Sequence, residues 1–127
     1  MKKLLLLLFL IPNLVMGELE FYIYKEYRLL MDKPSETVSE GEQSLMRLVS
    51  INISAMGDAY MWVDSESQTH KIKPLFCFSG PHLFLVDYLR IIDEELLLRP
   101  KHVELESPIA FVLLKGLERA FPCNSSL

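Results

Sequence analysis

Ser39-Glu40-Gly41-Glu42-Gln43-Ser44-Leu45-Met46-Arg47-Leu48-Val49 opens the stretch that decides the fold. Ser39 offers a hydroxyl at a helix N-cap and Glu42 a carboxylate three residues on, where each can satisfy an orphan backbone N–H at the helix start. Leu45, Leu48, Val49, Met56, Ala59, Tyr60 and Val63 follow at spacings of three, four and seven. The pattern predicts a long helix over residues 40–63. Asn52 falls within its apolar stripe and reads as a core hydrogen-bonding group rather than a ligand contact.

On either side the chain repeats the helical pattern more briefly. Upstream, residues 20–31 are rich in aromatic and apolar side chains at mixed spacing and stop before Pro34, which predicts a shorter helix. Downstream, residues 64–73 are polar and charged and read as a surface connection. Ser79-Gly80-Pro81 is a turn in which Pro81 can occupy the first turn of a third helix. Phe84, Leu85, Tyr88, Leu89, Ile92 and Leu96 form its apolar face, and Pro100 limits it. Ser107-Pro108 starts a fourth helix whose buried side is Ile109, Val112, Leu113, Gly116, Leu117 and Ala120. No Asn-Gly or Asp-Gly hairpin and no sustained period-two alternation occurs, so the expected fold is all-α, a small bundle of about four helices closed by one disulfide.

The N-terminus carries an export pattern. Lys2 and Lys3 precede an almost wholly apolar run over residues 4–14, and Val15-Met16-Gly17 resembles a signal-peptidase site. Cleavage after Gly17 would leave residues 18–127 as one domain, bound for the periplasm. The apolar run is about half the ~20 residues that a spanning helix needs, which argues against a stable membrane anchor. Without Lys2 and Lys3, 11 basic residues face 17 acidic ones, a formal charge of −6 instead of −4. That balance disfavours nucleic acid and anionic membrane surfaces and suits a basic protein partner.

Two cysteines in an exported chain read as one disulfide, because the compartment preserves the bond and only one pairing exists, Cys77 with Cys123. The alternative is a nucleophilic Cys77 served by His82 or His102, which requires a free thiol. No other catalytic constellation is evident. His70, His82 and His102 are scattered, and neither His-Glu-x-x-His nor Cys-x-x-Cys occurs, so no metal is expected. Gly-x-Ser-x-Gly, the P-loop and Gly-x-Gly-x-x-Gly are missing as well, which gives no ground for an enzyme or a cofactor. Asp93, Glu94 and Glu95 beside Arg90 read as a solvated charged face. Asn52-Ile53-Ser54 and Asn124-Ser125-Ser126 match the glycosylation sequon, but one lies inside a predicted helix and the other at the chain end.

Phe76-Cys77, Val86-Asp87-Tyr88-Leu89-Arg90, Arg99-Pro100 and the closing run from Ala110 to Ala120-Phe121-Pro122-Cys123 together resemble the Rap/Tai family of small exported immunity proteins. The chain departs from that pattern in lacking a second cysteine pair and in having Ser79 where a proline is usual. The resemblance implies a helical periplasmic protein, not an enzyme, that binds and occludes a cognate type VI secretion effector such as a peptidoglycan amidase, with a homodimer left open. The partner-binding candidates are then the acidic residues Glu94, Glu95, Glu104 and Glu106. A competing reading is a periplasmic acid-stress chaperone driven by its histidines and carboxylates, and an exported enzyme ranks third.

Overall fold

The computed structural model describes residues 19–100 and 107–124. The expected signal segment, residues 1–17, therefore lies outside the described residues. Helix α1 is Phe21–Met31, a single 3₁₀ turn follows at Ser35–Thr37, α2 is Glu40–Thr69, α3 is Leu85–Leu98 and α4 is Ile109–Ala120. Among the described residues there are four α-helices and no strand, so the fold is all-α.

The Ser39/Glu42 capping box forms as the sequence predicts: Glu42 N–H donates to Ser39 Oγ at 3.2 Å and Ser39 N–H to Glu42 Oε1 at 3.1 Å. The other end of α2 differs from expectation. The helix runs to Thr69, six residues past Val63, because polar residues 64–69 are held by helical-spacing bonds rather than released to a loop. Gln68 donates to Asp64 at 2.8 Å and Thr69 Oγ1 to the Ser65 carbonyl at 3.0 Å. The helix then stops in a Schellman arrangement, with Ile72 N–H on the Ser67 carbonyl and Lys71 in the left-handed region at φ 57°.

With 30 residues, α2 is about 45 Å long, and it packs against all three other helices. Only a narrow stripe of it is buried: Val49, Ile53, Gly57 and Asp64. Ala59 and Val63, expected on that stripe, are exposed, since the helix turns them away from its neighbours.

Four tyrosines tie the helices together, each a buried or half-buried apolar ring with a polar tip. Tyr24 of α1 donates to Asp93 of α3, and Tyr27 meets Ser50 of α2 at 2.8 Å. Tyr60 of α2 donates to the Ala110 carbonyl of α4 at 2.9 Å, and Tyr88 of α3 donates to Asp58 of α2 at 2.9 Å. Close approach supplies the rest. Gly116 lets α4 settle on α3, with Ile91 Cγ2 only 2.5 Å from where a β-carbon at 116 would stand.

Helix α3 begins later than expected. Phe84, 65 % exposed, is its N-cap, and Pro81 stays in the turn before it. Asp87 sets that start by accepting the Phe84 N–H at 2.8 Å. In α4, Pro108 is likewise the N-cap rather than the first helical residue. The expected buried face of α4 is found except at Ala120, which the last turn exposes. Leu19 is fully buried and its carbonyl accepts the Ile109 N–H at 2.9 Å, so the chain entry is pinned to the start of α4.

Candidate functional site

Cys77 and Cys123 are bonded, with Cα atoms 4.9 Å apart. Two neighbouring contacts seat the bridge: Cys77 N–H donates to the Phe121 carbonyl at 2.8 Å, and the Phe78 and Phe121 rings meet edge to face with centroids 4.9 Å apart. A nucleophilic Cys77 is thereby excluded in this state, because its sulfur is already spent in the bond.

The two acidic candidates among the described residues, Glu94 and Glu95, do not share one surface. Glu94 is exposed, while Glu104 and Glu106 lie outside the described residues. Glu95 is the correction. It is only 2 % exposed and sits beneath Arg119, whose Nε donates to Oε2 at 2.7 Å, while Arg99 Nη2 reaches Oε1 at 3.3 Å. The Arg119 hydrogen bond holds the Glu95 carboxyl below the usual carboxylate range against the opposing effect of burial, with the Arg119 and Arg99 charges adding to it. The same bond raises Arg119. Glu95 is therefore an internal tie between α3 and α4 and is not available to a partner.

The three consecutive carboxylates of α3 point in three directions because successive helical residues are about 100° apart. Asp93 turns toward α1, where it accepts Tyr24 Oη at 2.5 Å and Arg28 Nη2 at 2.8 Å. Burial, reinforced by the bond to Asp93, pushes the Tyr24 hydroxyl far above its ordinary value. An open groove of about 420 Å³ lies beside this pair, between α1 and α3, with an apolar floor that includes Met31, Val86 and Leu97.

His70 and His82 are exposed at the ends of surface pairs, His70 with Glu66 at 3.2 Å and His82 with Asp58 at 3.9 Å. His102 lies outside the described residues. No group of three or more His, Cys, Asp or Glu side chains is placed to hold a metal ion among the described residues, and no described helix is long and apolar enough to cross a membrane.

The exposed apolar residues were missed by the sequence reading. Trp62, the single tryptophan, is 70 % exposed on α2, and Ile51 of the same helix is 66 % exposed. Their signal was available, since both fall on the side of α2 opposite Ile53 at 3.6 residues per turn. The chain matches no family model, no curated protein and no solved structure.

Proposed function

We propose that this protein is an exported immunity protein that leaves the cytoplasm on residues 1–17 and works in the periplasm. There it neutralises an injected type VI effector, such as a peptidoglycan amidase, by binding over it. The observation that carries this reading is the Cys77–Cys123 bond. It joins the two segments, Phe76-Cys77 and Ala120-Phe121-Pro122-Cys123, that resemble the Rap/Tai family, and such a bond persists in an oxidising compartment. The acidic balance supports a basic partner, which it would attract before contact. Inhibition by occlusion asks of the chain only a stable shape and a complementary surface.

The test is protection. Deleting the gene sensitises cells to a sibling's effector, the full chain restores survival, and a chain lacking residues 1–17 does not, because an inhibitor kept inside cannot meet a wall-cutting toxin. Protein recovered from the periplasm begins at Glu18 by intact mass. A deletion strain as resistant as its parent, together with no complex between the protein and any effector of the same genome, overturns the reading.

A further inference from the structure

We propose that the outer face of α2, centred on Trp62, is a docking surface for a protein partner that presents an arginine or lysine between apolar side chains. At 3.6 residues per turn, Ile51, Ala55, Asp58 and Glu66 all fall within about 40° of Trp62 around the helix. All five residues are exposed. They form one stripe with an apolar end, Ile51 and Ala55, and a tryptophan set between carboxylates four residues before and four residues after it. Tryptophan buries more area than any other side chain when it is covered, and it is enriched where interfaces concentrate their binding energy. Leaving the only tryptophan outside a core that takes in Tyr24, Tyr27 and Tyr88 marks this as a face that a partner can cover.

Charge selects the cover. Along α2 the charged side chains are Glu40, Glu42, Asp58, Asp64 and Glu66 against Arg47 alone. A cation laid on the Trp62 ring gains cation–π attraction and charge-assisted bonds from the flanking carboxylates together. An anionic or wholly apolar cover would strip water from Asp58 and Glu66 with nothing in return. Both carboxylates are also pre-oriented. Asp58 Oδ1 is held by the Tyr88 hydroxyl, with His82 Nε2 3.9 Å away, and Glu66 Oε2 by His70. The inference holds for any protein partner, so it stands or falls separately from the toxin reading.

The single tryptophan makes the test direct. The disulfide-bonded protein is titrated with a synthetic helical peptide carrying one arginine between two leucines on one face, and with matched peptides bearing norleucine or glutamate in place of the arginine. The expected result is saturable binding with a blue shift of the tryptophan emission for the arginine peptide, weakened at least tenfold for the other two. By calorimetry, Trp62→Ala abolishes binding, Asp58→Asn with Glu66→Gln weakens it about tenfold, and Leu97→Ala on α3 leaves it unchanged. Because Trp62 is exposed, its substitution leaves the fold intact, which an unchanged thermal transition verifies. Equal affinity for the three peptides overturns the proposal, as does an unchanged emission. A blue shift that follows protein concentration alone also overturns it and assigns the face to a second copy of the chain.

Discussion

The ring of Tyr88 lies directly against Gly57, so that a β-carbon at 57 would overlap the ring carbons Cε2, Cζ and Cδ2. Tyr88 is fully buried and its hydroxyl is bonded to Asp58, so the ring has nowhere to retreat. Gly57→Ala is expected to destabilise the protein by about 2–3 kcal/mol despite alanine's better helix propensity, the upper part of the usual range for overpacking. Chemical denaturation of the two proteins measures it.

The Glu95 tie predicts acid sensitivity. Its folded-state pKa lies below the ordinary value of 4.5, so its contribution is complete at neutral pH and is lost as the pH falls from about 4.5 through the folded value. Glu95→Gln is expected to cost on the order of 2 kcal/mol at neutral pH, since it leaves the partly buried Arg99 with a weaker partner. It should also flatten the acid limb of a plot of stability against pH. An acid limb of unchanged slope in the variant would show that other carboxylates carry it.

Alkali acts through the tyrosines. Burial raises the hydroxyls of Tyr24 and Tyr88, aided at Tyr24 by Asp93 and at Tyr88 by Asp58. An acid whose folded pKa is raised contributes stability below its unfolded value and loses it above, so the fold weakens as the pH climbs past about 10. Near-ultraviolet titration should find these two phenols ionising only together with the loss of helical circular dichroism.

Lys71 occupies a left-handed position that glycine takes at little cost. Lys71→Gly is expected to raise stability by about 0.5–1 kcal/mol, the relief of backbone strain exceeding the added freedom of the unfolded chain. A fall in the denaturation midpoint would contradict this.

Both cysteines should resist a thiol probe until reduced. Cys123→Ser restores to the unfolded chain the freedom of a 47-residue loop, whose sequence separation is 46, a loss of roughly 4 kcal/mol in the chain-entropy account. The expected fall in Tm is on the order of 15 °C or more.

The elements legible in the sequence were those with local chemistry. Ser39 and Glu42 announce their own capping box, and the apolar spacing of 109–117 announces α4. The end of α2 was not legible, because Lys71 stands where a glycine would have signalled the stop and because polar residues 64–69 look like a loop until Asp64 is seen holding Gln68. The start of α3 was misplaced for a related reason: Pro81 carries the usual signal, while the working cap is a single Asp87 carboxylate. Glu95 was read with its neighbours as a charge run, although it falls three residues after Ile92 and seven after Tyr88, on the buried side. Its arginine at 99 was in view, but its arginine at 119 belongs to another helix and only the fold brings it near. The Trp62 face escapes a reading that follows only the buried stripe, because Trp62 and Ile51 fall on the side of α2 opposite Ile53.

Bonding Cys77 to Cys123 turns residues 77–123 into a covalent ring that contains α3 and α4 whole, while α1 and α2 form the tail leading into it. One peptide-bond cut inside that ring opens it without freeing a fragment, whereas one cut before Cys77 divides the polypeptide. A protease that cuts between Cys77 and Cys123 would therefore convert the protein into a nicked molecule of two chains that still travels as a single particle until a reductant reaches the bond. The half of the protein that carries Glu95 and its two arginines is thus the half that hydrolysis separates last.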